Sequence, residues 1–230
     1  MENGDRTIPV ALSARHVHLS DRHVEQLFGH GYRLTPMSDL SQPGQFAARE
    51  TVEVVGPRRS IPGVRILGPA RSASQVELSV SDGVALGINV PVRLSGDLTN
   101  TPGADLIGPR GAVRLSSGCI CAVRHIHATP EDAQRLGVAD GQKVYVHFPG
   151  PRSLIFDEVV VRVSDKFLTE LHLDTDEGNA AGVVAGSRVE VVPSLCRDLC
   201  GREGCLISMS TEGGNARPFC DYTSGGVTIR

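Results

Sequence analysis

The chain has 230 residues, 40% of them apolar, with 26 Gly, 14 Pro and a formal net charge of −3. That length holds one large domain or two small ones, and the charge leaves no basic footprint for nucleic acid. No apolar run reaches the roughly 18 residues of a membrane-spanning helix, and the opening MENGDRTIPV lacks the basic and apolar regions of a secretory signal, so the chain is expected in the cytosol with neither nucleic-acid nor membrane partners.

TIPVALS (7–13) reads as a strand. It leads into Arg15-His16-Val17-His18, after which Ser20 is placed as an N-cap, DRHVEQLF as two turns of helix and Gly29 as its stop. Short β-like runs follow at 50–56, 64–68, 75–80, 90–96 and 112–127, separated by Gly and Pro. The last ends in a second Arg-His-aliphatic-His, Arg124 to His127, with Thr129 as cap, Pro130 at the first helical position and Gly137 as the stop. Further β runs lie at 142–148, 154–163 and 187–192. His16 and His125 are 109 residues apart, as are His18 and His127, so strand, histidine pair, cap, helix and Gly recur as a unit. The expected fold is mainly β: two small β-barrel domains from an internal duplication, each capped by short α-helices.

Histidine is scarce, and four of the eight fall in these two copies. Residues i and i+2 of a strand point the same way, so each pair presents two imidazoles on one face, which can hold one metal ion. The alternative for a lone pair is two half-buried strand histidines with ordinary hydrogen bonds, and its repetition in the duplicated unit favours the metal. If the units pack about a pseudo-twofold axis, the pairs converge on a two-metal site. Further ligands must come from other strands. Glu77 in SQVELSV and His172 at the junction ELHLDTDEG are candidates, although each could equally be a lone polar residue at a strand edge. Arg71, at a Gly-Pro break before the Glu77 strand, suits an anion through its bidentate fork, or is simply a surface Arg. His23, His30 and His147 show no partner pattern and read as structural or exposed.

Cys119 and Cys121 share one strand face, and free thiols are expected there and throughout a reducing compartment. Cys196, Cys200, Cys205 and Cys220 sit in a polar, Gly-rich segment from 193 to 230 whose spacing matches no zinc-ribbon pattern. P-loop, nucleophilic-serine and dinucleotide motifs are missing.

Five stretches in order, IPVALSARHVHLS, SDLSQPGQFAARETV, GPARSASQVELS, AVRHIHATPEDAQRLGV and LHLDTDEGNAAG, resemble the PduL-type phosphate propanoyltransferases over about residues 7–192. The resemblance implies two β-barrel domains, one completed by the N-terminal strand: 1–14 plus 123–192, and 15–122, with 193–230 as a Cys-containing extension. It implies two zinc ions between the barrels, one on His16, His18 and Glu77, the other on His125, His127 and His172, with Arg71 holding phosphate. The implied reaction interconverts propanoyl-CoA or acetyl-CoA plus phosphate with acyl phosphate plus CoA. Compatible partners are further copies of the chain, as a homo-oligomer, and bacterial-microcompartment shell or core proteins; the sequence does not fix the oligomeric state. Many microcompartment members carry an N-terminal targeting helix; six residues before the first strand are too few for one, which leaves the extension as the remaining candidate for encapsulation.

A zinc-dependent hydrolase is the alternative, but HVHLSD places Asp21 and His23 only near a hydrolase pattern, and HIHATPED lacks that histidine. A two-barrel cupin needs a Glu where a helix is predicted. A non-catalytic zinc-binding relative has no use for Arg71.

Overall fold

Alternation of side chains decides which runs become half-buried strands. Along Phe46–Val55 positions 48, 50, 52 and 54 are buried, and along Lys143–Phe148 Val144, Val146 and Phe148 face inward. In the computed structural model, which describes residues 5–184 and 186–193, the first part runs β1 (Thr7–Ser13), β2 (His16–His18), α1 (Asp21–Phe28), β3 (Pro36–Asp39), β4 (Phe46–Val55), β5 (Ser60–Gly68), β6 (Gln75–Glu77), α2 (Val80–Leu86), β7 (Val92–Arg93), β8 (Asp105–Ile107) and β9 (Ala112–Arg114). The second runs β10 (Cys119–Ala122), β11 (His125–Ala128), α3 (Pro130–Leu136), β12 (Lys143–Phe148), β13 (Leu154–Val163), β14 (Glu170–Asp174), α4 (Thr175–Ala181) and β15 (Arg188–Val192).

The fold is mainly β: a closed six-stranded barrel, a curled half-barrel sheet and four short helices. The barrel order is β1-β14-β11-β13-β12-β15, and the other sheet runs β7-β10-β6-β2-β5-β4-β8-β9 with β3 paired to β4. Each has its own apolar core. No helix among the described residues is long and apolar enough to cross a membrane. The cysteines at 196, 200, 205 and 220 lie outside the described residues.

Three expected strands are cut short, and of the run 90–96 only Val92–Arg93 pairs, as β7. The run 75–80 stops at Glu77 because Ser79 turns the chain and caps α2, its hydroxyl accepting from Asp82 N while Asp82 accepts from Ser79 N. The run 112–127 divides into β9, β10 and β11; Gly118 breaks it at φ 120°, a backbone angle that favours glycine.

The duplication reaches further than the histidine pairs. β2 runs antiparallel to β6 and parallel to β5; β11 runs antiparallel to β14 and parallel to β13. His16 faces Glu77 as His125 faces His172. Both β6 and β14 enter a seven-residue helix through a capping box, Ser79/Asp82 and Asp174/Glu177, and both helices end on a left-handed glycine, Gly87 and Gly182.

The strand before each histidine pair sits in the opposite sheet. β1 precedes β2 in the chain but lies parallel to β14, and β10 precedes β11 but lies parallel to β6. Accordingly Ile8 belongs to the barrel core, and Cys119 and Cys121 to the core of the other sheet. The crossings Ala14-Arg15 and Val123-Arg124 are fastened alike, Arg15 to Asp82 at 2.7 Å and Arg124 to Glu177 at 3.2 Å. Each arginine thus grips the helix cap that follows its own unit's antiparallel strand. Ser81 N donates to Asp176 at 2.8 Å, joining the N-termini of α2 and α4.

Candidate metal and anion site

The crossed strands deliver both histidine pairs to one place. A cavity of about 470 Å³ is lined by His16, His18, Glu77, His125, His127 and His172 together with Arg71. All seven residues singled out in the sequence therefore meet there. His16, His18 and Glu77 form one group of potential metal-ligating side chains, and His125, His127 and His172 form the other; within each, one ligand atom per residue lies within 4.8 Å of the others.

Backbone carbonyls orient the rings. His16 Nδ1 lies 2.8 Å from Ala14 O and His125 Nδ1 lies 2.8 Å from Val123 O, in each case the carbonyl two residues back. A hydrogen bond there fixes the tautomer and leaves Nε2 as the lone-pair donor. His16 Nε2 is 3.5 Å and His18 Nε2 3.7 Å from the Glu77 carboxylate. Glu77 Oε1 accepts from Gln75 Nε2 at 2.5 Å and Ser95 Oγ at 2.9 Å.

In the second group both ring nitrogens of His127 and Nε2 of His172 are buried without a directed hydrogen bond. Glu170 Oε1 lies 2.9 Å from His172 Nε2, close enough for strong attraction though off the N–H direction. Buried polar atoms are normally satisfied, so the two orphaned His127 nitrogens on the cavity fit a metal-ligating group, while His172 turns Nε2 toward Glu170 and has Nδ1 left as its ligand atom. The donor sets, two His with a Glu and three His, suit zinc.

Electrostatics favour neutral imidazoles. Burial together with the neighbouring rings pushes His18 down to about 3, His125 to about 4 and His127 to about 3. For Glu77, burial pushes upward, but His16, His18 and the Ser95 hydroxyl outweigh it and hold the carboxyl well below its usual range. Burial likewise works against protonation of His16, yet the Glu77 carboxylate leaves it raised. Burial raises Glu170 too, but hydrogen bonds from its neighbours bring it to about 2, so it is a carboxylate at neutral pH.

Arg71 is seated by its own N–H donating to Leu19 O at 2.8 Å, and Nη1 lies 3.3 Å from Ser95 Oγ. Arg15, Arg65 and Arg162 line the same cavity. Arg15 is committed to Asp82, and Arg65 to the carbonyls of Ala48 and Arg49. Arg162 packs over Phe167, whose ring stacks on His127 with centroids 4.1 Å apart. Sequence reasoning missed Arg162, Phe167, Gln75, Ser95, Gln42 and Glu170. For Gln75 and Glu170 a signal existed, since each stands two residues before a proposed ligand on the same strand face; for the rest only the fold supplies one.

Cys119 and Cys121 carry free thiols that burial raises to about 12, and neither lines the cavity. His23 bonds Ser74 through Nδ1 at 2.7 Å, and His30 is exposed beside Glu25.

Comparison with known proteins places the chain in a family. The family model described as phosphate propanoyltransferase matches residues 9–184. A phosphate propanoyltransferase from Enterococcus faecalis is 52% identical over 182 residues, covering 79% of this chain and 86% of that protein. One from Thermotoga maritima is 52% identical over 186 residues, 80% of this chain and 89% of its own. One from Lachnoclostridium phytofermentans is 50% identical over 186 residues, 80% and 87%.

Proposed function

Since the chain belongs to the phosphate propanoyltransferase family and is an acyltransferase, we propose that it transfers a short acyl group, propanoyl or acetyl, between CoA and phosphate in the cavity between its two sheets. The observation that carries this reading is the convergence of both three-residue groups and Arg71 on one cavity. In this reading His16, His18 and Glu77 hold one zinc ion, and His125, His127 and His172 hold a second. The same reading divides the chain into 15–122 and 1–14 plus 123–192.

Bound zinc supplies a borderline-soft Lewis acid suited to a thiolate sulfur and to polarised oxygen. The chain's own residues supply position and charge. Arg71 holds phosphate through two parallel N–H donors and keeps it oriented toward the thioester carbonyl. Arg162 adds positive potential on the opposite wall, favouring anionic substrates. Leu12, Leu40, Leu67 and Phe167 give the cavity apolar walls that limit water, which would otherwise hydrolyse the thioester. With both described cysteines away from the cavity, direct attack of phosphate on the carbonyl is preferred to an acyl-enzyme.

The test follows thioester loss from propanoyl-CoA or acetyl-CoA in the ultraviolet, with and without phosphate, after chelation, and in His125→Ala. Phosphate-dependent loss that disappears on chelation and in the variant supports the proposal. Loss without phosphate would indicate hydrolysis instead.

A further inference from the structure

The two groups differ in where their carboxylate stands. In the first half Gln75 is followed two residues later by Glu77; at the matching register positions of the second half Glu170 is followed by His172. The exchange preserves hydrogen-bond logic. A carboxylate needs a donor beside it, and the Gln75 amide donates to Glu77. An imidazole N–H needs an acceptor beside it, and Glu170 Oε1 lies 2.9 Å from His172.

What holds Glu170 comes from the other sheet. The loop between β3 and β4 reaches across, and Ser41 Oγ and Gln42 Nε2 both donate to Glu170 Oε1, at 2.5 and 2.6 Å. Gln42 is itself buried and is fixed at both ends of its amide: Nε2 donates to Leu168 O at 2.9 Å, and Oε1 accepts from Leu168 N at 3.3 Å. Gln42 thus fastens to the chain just ahead of β14, and three contacts converge on one oxygen of Glu170.

We infer that Glu170 is a positioning residue that orients His172, and that Ser41 and Gln42 make occupancy of the three-histidine group depend on contact between the two halves. This rests on the metal reading given above. Such a carboxylate raises the basicity of the ligating imidazole and fixes its ring, and its loss weakens metal binding. The first group has no equivalent dependence, because Gln75 and Ser95 belong to its own half.

Zinc release tests this. The full chain is loaded with zinc, and transfer of the metal to a chromophoric chelator is timed, with circular dichroism reporting the fold. His172→Ala identifies the release phase of the three-histidine group, and His16→Ala identifies the other. Glu170→Gln keeps the shape and removes the charge; Gln42→Ala leaves Glu170 and removes its anchor. Each is expected to speed the first phase about 10–100-fold and to leave the second unchanged, a selectivity that general loosening would not produce. Equal acceleration of both phases, or no change in either, overturns the inference. An effect of Glu170→Gln without one of Gln42→Ala keeps the positioning role and removes the coupling between halves. Wild-type protein that holds no zinc overturns this inference together with the metal reading, whereas two ions held with unaltered release in both variants removes only the role of Glu170. If Gln42→Ala does not fold, Glu170→Gln alone decides the positioning role; if Glu170→Gln does not fold, Gln42→Ala alone decides the coupling between halves.

Discussion

At the residue scale the site depends on charges held apart from water. Arg71 is the clearest case, because its guanidinium meets Ser95 at 3.3 Å and no carboxylate at ion-pair distance among the described residues. Arg71→Lys retains the charge and loses the planar fork. We expect the phosphate KM to rise and kcat/KM to fall about 10–100-fold, equivalent to about 1.5–3 kcal/mol for charge-assisted hydrogen bonds; steady-state kinetics with phosphate varied would show it, and an unaltered phosphate KM would detach Arg71 from the anion. The histidines give a second expectation, for metal-free protein. His18, His125 and His127 have folded values near 3, 4 and 3, below the usual 6.5. The unfolded chain therefore binds more protons through that window, and stability is complete above about pH 6.5 and falls toward pH 3–4. His16, with a raised value, acts in the opposite sense and offsets part of the loss. Chelator-stripped protein should show a lower denaturant midpoint at pH 5 than at pH 7, and equal midpoints would contradict the neutral, buried imidazoles.

At the element scale, caps decide where strands stop and the ligands emerge. Glu77 and His172 each lie two residues before a helix N-cap, Ser79 and Asp174. Ser79→Ala and Asp174→Ala should each cost about 0.5–2 kcal/mol, read as lower thermal midpoints; no change would mean that these short helices are held by packing alone. The same elements show how much was legible in the sequence. The strand 7–13, both histidine pairs, their caps and the helices α1 and α3 follow from period-two alternation and from Ser20, Thr129, Pro130, Gly29 and Gly137. Helices α2 and α4 escaped: in VSDGVAL the apolar Val80 and Val84 are exposed while Asp82 and Gly83 are buried, and TDEGNAA has only two alanines to mark a face; the readable signal was the polar box Ser79/Asp82 and Asp174/Glu177. Gln42 reaching Glu170, 128 residues away, was illegible, since nothing local to either residue announces a contact made by the fold as a whole.

At the scale of the whole molecule, exchange of β1 and β10 makes each sheet incomplete without the other half. β1 sits between β14 and β15, so removing residues up to 13 takes Ile8 from the barrel core and exposes two strand edges. We expect a chain beginning at Ala14 to lose its cooperative melting transition and to recover it with a synthetic peptide of residues 5–13. A truncated chain that melts like the intact one would show that the barrel closes without β1.

The ends of the described fold meet, with Val191 N donating to Arg6 O at 3.0 Å. Joined there, the backbone would become a ring, and the ring has two matching places at which it can be opened: before β1, as in this chain, or before β10. Opened at either, the first strand is handed to the far sheet, the crossing arginine locks to a helix cap, and a histidine pair follows. A circular permutant starting near Gly118 therefore changes the order in which the halves are made while returning the same two groups of ligands to the same cavity.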